Sequence, residues 1–543
     1  MKSQKHLLHL LLAIICLSPF GMQVNAQEVE WSPEKKLSNK ALLPDIIGEN
    51  EKSIFTLIKR GGDLYVESTD KESLEENYSN VIEYFGPDAD DLDFEYIAYS
   101  DNIFYLFASI YDRKTDLADL YVFTIDANTG SYISKKGKLL YSITVEKKKR
   151  KGNFRVLFSP NRQYMVAYHV AYYKKNKKII EKFQLLDMEL NTLTEKEEVN
   201  NESDELVSKL WSYLVDNEGS IYYIKGDKVG IYDANKDYEN WSEKIEPKGM
   251  ERGSSIVNNI ISISPDGDFL ITGMYERMDY NRSDKGSKKR RSDTRKGDKD
   301  IQGAYYYKIN SLTKEVVASK ISPLESSFFD KLKNAKDEKK DREVELNNNF
   351  SNFKIRFLED GSCIYMAEQY EHRYVYDAND NVVGENFTFG GIVLFKFDTK
   401  GNLQWSDFVP KAQYCGFAYI SLFVTGPHGI SFGFAPYYFL NYYSYGVFTD
   451  DKYAYIVFND NLKNKEVETA TDKIKYMRKP QKSVPTVYKF NTETGRRAKA
   501  DGLEFADLKV ILLPNQTTQQ GPKANSYIFG QKGKKYKIGK ITF

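Results

Sequence analysis

Gly429-Ile430-Ser431-Phe432-Gly433 has the G-x-S-x-G spacing of a nucleophile elbow, in which a strand turns sharply at serine into a helix and presents the hydroxyl to a histidine. Here Ile430, Phe432 and Phe434 alternate, tyrosines follow, and only about 110 residues remain for the rest of a hydrolase domain. The segment is therefore expected to be a strand with Ser431 on its second face. Asp377-Ala378-Asn379-Asp380-Asn381 places oxygens at the first, third and fifth positions of a calcium loop. Val382 stands where that loop needs glycine, and Thr388 where it needs a bidentate glutamate, so a hairpin turn is the better reading. His169, His372 and His428 show no HExxH or HxH spacing, and a metal site would have to assemble from separate segments. No pair among the many acidic residues stands out as a glycosidase couple.

Two features suit binding instead of catalysis. FAPYYFLNYYSYG (434–446) is rich in aromatic rings, which when exposed stack on sugars or receive a partner peptide. Tyr437, Tyr438, Tyr442 and Tyr443 are its candidate contact residues, and the competing reading has alternate rings filling the space between sheets. The basic clusters at 147–151, 174–178 and 288–291 could attract an anionic surface such as lipopolysaccharide or acidic glycan, although solvated loop tips explain them as well.

The chain opens with Lys2 and Lys5, the apolar run LLHLLLAIICL and the small-residue site Val24-Asn25-Ala26, which together form a signal peptide expected to be cut after Ala26. A secreted or periplasmic protein follows. The run is too short to span a bilayer, and no later stretch is long enough. A lipoprotein reading at Cys16 is opposed by Ile14 and Ile15, where small residues belong. Removing the two leader lysines moves the formal charge from +1 to −1, which argues against a nucleic-acid binder. Cys363 and Cys415 remain, as two buried thiols or as a disulfide.

With 41 Tyr and 32 Phe but 15 Pro, the composition favours sheet. A strand, an Asp or Asn turn and a second strand recur at Asp126, Asn191, Asp233, Asn310, Asp398 and Asn491. These side chains bond the backbone two residues on, and Gly130, Gly401 and Gly495 permit positive φ. A second hairpin precedes most of them, turning at Gly219, Gly267, Gly361 and Gly429. Together the two make a four-stranded unit with a period of roughly 45 to 50 residues, the size of a propeller blade. ISPDGDFLITG (263–273) resembles the SPDG repeat of TolB-like and WD40-like bacterial propellers, while FDTKGNLQWS and IDANTG resemble degenerate quinoprotein-type repeats. The latter resemblance implies a pyrroloquinoline quinone cofactor. Tryptophan stands at the expected strand position only at Trp405 and Trp241, so the cofactor remains unknown and none of its catalytic residues can be assigned.

The expectation is an all-β chain over 27–543, a single propeller of seven blades with six to eight possible. Blades begin near residues 94, 154, 210, 256, 353 and 417, and the N- and C-terminal strands share the closing blade. Residues 279–301 are expected to be a disordered charged insertion and 324–349 a short exposed helical one. Functionally this points to an exported, non-catalytic binding or scaffold propeller whose partner is a glycan or an envelope protein. The alternative is a hydrolase of glycans or peptides with its site at the channel.

Overall fold

The computed structural model describes residues 29–36, 45–85, 89–148, 153–173, 177–201, 213–225, 227–278, 299–333, 346, 349–377, 380–418, 437–450, 452–499, 510–519 and 525–541. Among the described residues the strands form eight antiparallel sheets, seven of them built on consecutive four-stranded meanders, one of which carries a fifth strand. Blades 1 to 7 span residues 45–81, 93–144, 153–201, 213–244, 254–323, 350–409 and 446–499. Blade 8 combines Ile511–Gln519, Ser526–Lys532 and Lys535–Ile541 with Val29–Trp31.

The ring follows from the alternation of side chains along each strand. In blade 5, Leu270 packs against blade 6 while its neighbour Ile271 packs against blade 4. One apolar cluster fills each space between successive sheets, from blades 1 and 2 round to blades 7 and 8, and a last cluster joins blade 8 to blade 1 through Ile54, Ile58, Phe529 and Ile538. Eight sheets in a closed circle make an eight-bladed propeller, one blade more than expected. The extra blade is 45–81, which contains SIFTLIKRGGDLYVES as its two central strands.

Asx turns join the third and fourth strands of most blades as expected, but in blade 3 the cap is Asp187, whose Oδ1 accepts from the Asn191 amide at 2.7 Å. Asp126 Oδ1 accepts from the amides of Asn128 and Thr129, and Asn491 Oδ1 from those of Glu493 and Thr494. Four residues beyond the cap, Gly130 and Gly495 take φ of 68° and 70°. These turns receive an aromatic ring from the preceding blade. Tyr78 donates to the Ala127 carbonyl at 2.6 Å, and Trp405 Nε1 donates to the Thr492 carbonyl at 3.0 Å while its ring stacks on Phe490. A Cβ on Gly495 would lie 2.6 Å from the Trp405 ring. The same turn occurs with non-glycine residues: Leu74 (φ 57°) follows Asp70, and Lys314 (φ 61°) follows Asn310. Their side chains offset the unfavourable backbone. Leu74 is buried between blades 8 and 1, and Lys314 lies 3.7 Å from Asp216 and 3.8 Å from Asp233, all three being buried.

Closure is made by the two ends of the described chain, as expected. Val29, Glu30 and Trp31 pair with Ile541, Lys540 and Gly539, and Lys35 pairs with Tyr536. The indole of Trp31 lies flat where Gly530 and Gly539 leave room; a Cβ at either would stand 2.7 or 2.9 Å from it. Lys35 then reaches into blade 1, bonding Glu67 at 3.2 Å and Glu76 at 2.9 Å. Buried Glu67 also accepts from Arg60, Ser79 and Tyr536, so the joint between blades 8 and 1 is locked by charge as well as by strand pairing.

The described residues reach the edges of both insertions. Strand Lys299–Ile309 begins inside 279–301, with Ile301 buried in the core, because alternate apolar residues there face blade 6; residues 279–298 lie outside the described set. Among the described residues of 324–349 a helix covers Ser326–Asp330, and it is anchored: Leu324, Phe328 and Leu346 are buried between blades 5 and 6, while 334–345 and 347–348 lie outside the described set. Cys363 and Cys415 are free, buried thiols, and burial raises the Cys363 thiol to about 12. The leader at 1–26 lies outside the described residues.

Trp31→Ala should lower unfolding free energy by about 2–4 kcal/mol in urea titrations, since it removes the apolar clasp of the closing strand. Lys314→Gly relieves a left-handed lysine but leaves two buried carboxylates without their cation. The net expectation is a loss of about 2–3 kcal/mol, read from the same titration.

Candidate functional site

The aromatic tract is not an exposed face where it can be seen. Its backbone forms a 3-10 turn over Tyr437–Tyr442. Tyr442 and Tyr443 are 4% and 1% exposed; the Tyr442 hydroxyl donates to Gln531, and the Tyr443 ring stacks on Phe389 at 5.6 Å. Both rings fill the space between blade 8 and a structure built onto blade 6, which overturns the stacking role expected of them. The side chains of Tyr437 and Tyr438 lie outside the described residues, as do Ser431 and His428. His169 is buried and stacked on Phe154, 4.3 Å between centroids.

The structure on blade 6 was not foreseen as a site. Strands Cys363–Tyr376 and Val382–Phe397 have 14 and 16 residues, against 10 and 11 for their counterparts in blade 5. They overrun the innermost strand, whose first residue Phe350 pairs with Gln369, and continue as a hairpin joined on its far side by Gln413–Ala418. At about 3.3 Å per residue the overhang from 370 to 376 is roughly 20 Å long. Its tip is the Asp377 turn, where Asp377 Oδ1 accepts from the Asn381 amide at 2.9 Å: the calcium-like spacing forms a hairpin.

Strand alternation puts Tyr370, His372, Tyr374 and Tyr376 on one face. Towards the propeller this face is covered, with Phe387, Phe389 and Cys415 buried against Tyr442, Tyr443 and Met477. Towards the tip it is open. Tyr374 is 52% and Tyr376 57% exposed, and His372, stacked on Phe387, shares a hydrogen bond of 2.9 Å with Glu385. Rings with a neighbouring polar pair can stack on a sugar and bond its hydroxyls.

Beneath the extension lies a buried polar joint. Lys411 Nζ is 2.6 Å from Glu368 Oε1 and donates to Gln413 Oε1 at 3.0 Å, with neither charged side chain exposed. Burial lowers the Lys411 ammonium pKa, opposed by Glu368. Gln413 donates to the Asn459 carbonyl at 2.7 Å, and Asn459 bonds the carbonyls of Tyr442 and Leu512, both at 2.8 Å. The extension is thus bolted to blades 6, 7 and 8.

Three other buried carboxylates also face cations: Glu67 faces Lys35 and Arg60, while Asp216 and Asp233 share Lys314. All sit in joints between blades. Among the described residues no group of three or more His, Cys, Asp or Glu side chains is placed to hold a metal ion. Trp405, the residue most expected of a quinoprotein site, is committed to its dock on blade 7, and Trp241 packs between blades 4 and 5, so neither supplies a cofactor wall. The lysine-lined cleft of about 560 Å³ beside blades 5 and 6 includes Lys248, Lys308, Lys320 and Lys400. Lys308 is already paired with Asp266 and Asp268.

No protein-family model matches the chain, and no curated protein matches it. Among solved structures it is similar to the WD40 domain of SCAP from fission yeast, at 10% identity over 95% of each chain with a TM-score of 0.39. A europium-containing methanol dehydrogenase is similar at 10% identity over 94% of this chain and 85% of that one, with a TM-score of 0.35. An endo-arabinase from Bacteroides thetaiotaomicron gives 8% identity, 70% and 97% coverage, and a TM-score of 0.25. The assignment as a propeller rests on the ring of sheets described above. Among the described residues no helix is long and apolar enough to cross a membrane.

Lys411→Met strands Glu368 as a buried, uncompensated charge and should cost about 3–5 kcal/mol; the double variant with Glu368→Leu should cost less than the single one. A double-mutant cycle by urea unfolding reads both values.

Proposed function

We propose that this chain is an exported, non-catalytic propeller that binds a glycan of the cell envelope along the open edge of the blade 6 extension. Support for export comes from the leader at 1–26, with its charged start, short apolar run and small-residue cut site. The observation that carries the binding reading is the pair of rings at Tyr374 and Tyr376, held out on a hairpin that the ring does not need for closure. The same face is buried further in, so the rigid half positions the open half. Two exposed tyrosines spaced i, i+2 lie about 7 Å apart, a separation suited to successive sugar rings, with the His372–Glu385 pair beside them for hydroxyls. Glu67, Asp216, Asp233 and Glu368 are each committed to a cation in a joint between blades, which favours binding over hydrolysis at those carboxylates.

The test is retention of the mature protein on immobilised envelope polysaccharide fractions, alongside the double variant Tyr374→Ala/Tyr376→Ala. Losing two stacked rings should weaken retention about tenfold or more, at about 1 kcal/mol per ring, with unchanged thermal unfolding. Equal retention of both proteins refutes the site. Release of soluble sugar products would point to the hydrolase reading instead, and capture of an envelope protein with no glycan would replace the proposed partner.

A further inference from the structure

Lys354 and Arg356 lie on the innermost strand of blade 6, Phe350–Phe357, which borders the central channel. They are two residues apart, so both project from the same face, towards blade 7. There they sit beside an apolar cluster that includes Ile364, Met366 and Tyr445. Their heads meet no acid: Lys354 Nζ donates to the Tyr445 carbonyl at 2.7 Å and lies 4.9 Å from the centre of the Tyr445 ring, and Arg356 reaches the Val447 carbonyl at 3.5 Å, the outer limit of a hydrogen bond. Arg356 Nε is buried and makes no hydrogen bond. Among the described residues neither cation has a carboxylate within ion-pair distance. Glu368, the nearest acid in the network, is held by Lys411 and Asn352.

Both side chains are half-buried, and they differ from the other cations described above. Lys35, Lys314 and Lys411 each face a carboxylate, as burial of charge demands. Two like charges side by side, with one guanidinium edge unspent, form an arrangement that an incoming anion would complete. The backbone serves it too. A bulge between Ser351 and Lys354, with Asn352 at φ 51°, changes the strand's register at this point, and the Tyr445 hydroxyl fixes the bulge by donating to the Asn352 carbonyl at 2.7 Å. Bulges re-aim side chains and favour functional positions.

We infer that Lys354 and Arg356 form an anion site in the joint between blades 6 and 7, beside the central channel, taking an oxyanion of carboxylate or phosphate type, with the Arg356 fork fixing orientation and Lys354 supplying a point charge. Lys354 is poised to respond. Burial and the adjacent Arg356 lower its ammonium to about 8, partly opposed by Glu368, and a bound anion would raise it again. The site is distinct from the aromatic edge, so either can fail without the other.

The experiment is calorimetric titration of the full mature chain with inorganic phosphate, glucose 6-phosphate and glucuronate at pH 7, repeated with Arg356→Gln and Lys354→Met. Saturable binding of at least one oxyanion is expected, weakened tenfold or more in each variant, while retention on envelope glycan is unchanged. Arg356→Lys, which keeps the charge without the fork, should fall between wild type and Arg356→Gln and serves if the latter does not fold. Preference for inorganic phosphate assigns a free ion as the ligand; preference for glucose 6-phosphate or glucuronate assigns an acidic sugar. No binding by the wild type, or equal binding by Arg356→Gln and Arg356→Lys, overturns the inference.

Discussion

A sheet that lacks its outer strand exposes a row of unpaired N–H and C=O groups, and the three C-terminal strands form such a sheet until Val29–Trp31 joins them. The pairing does more than hide an edge. It seats Trp31 on two glycines and brings Lys35 to Glu67, so the joint between the last blade and the first is held by apolar contact with a charged bolt, as is the joint of blades 4 and 5 at Lys314. With the ring closed, each innermost strand is fixed between two neighbours. That rigidity lets a long hairpin on blade 6 and two adjacent cations on its innermost strand keep their positions.

Buried charge is divided unevenly in this molecule. In the joints, every cation discussed has an acid beside it, which is what desolvation requires. Between blades 6 and 7 Lys354 and Arg356 depart from that rule, and at the tip of the extension tyrosines depart from the complementary rule that large rings are covered. Both exceptions fall on blade 6, one facing blade 7 and the other on the overhanging hairpin. Local rules are broken mainly where a surface has some purpose other than stability.

Much of the fold was legible because its turns are made by local chemistry. An Asp or Asn followed four residues later by glycine marks Asp126 and Asn491 without any tertiary information. Blade 1 escaped because Leu74 occupies the left-handed position of an otherwise identical turn, with its amide bonded to the Asp70 carbonyl at 3.0 Å. Burial of the leucine makes that backbone tolerable, and burial is not written in the turn. The aromatic tract failed for a related reason: its composition announces rings but not which surface they meet, and Tyr442 and Tyr443 meet the underside of the extension. The open edge could have been suspected from the alternation YEHRYVY before the Asp377 turn, where Tyr370, His372, Tyr374 and Tyr376 share a face. The Lys354–Arg356 pair has no comparable signal, since alternating Lys and Arg are ordinary on strands and their isolation from acids depends on three elements at once.

Because Val29 pairs with Ile541, the contact that completes the ring joins the two most distant described parts of the chain. Chains dominated by such distant pairings fold slowly, since loop closure must precede the reward. A nascent molecule can assemble its first seven blades as they emerge, yet it carries two sticky edges until the last strand is made. The half-built ring is therefore the state most exposed to aggregation and to exchange of terminal strands between molecules, and any helper that shields this protein during biogenesis should act on that open circle.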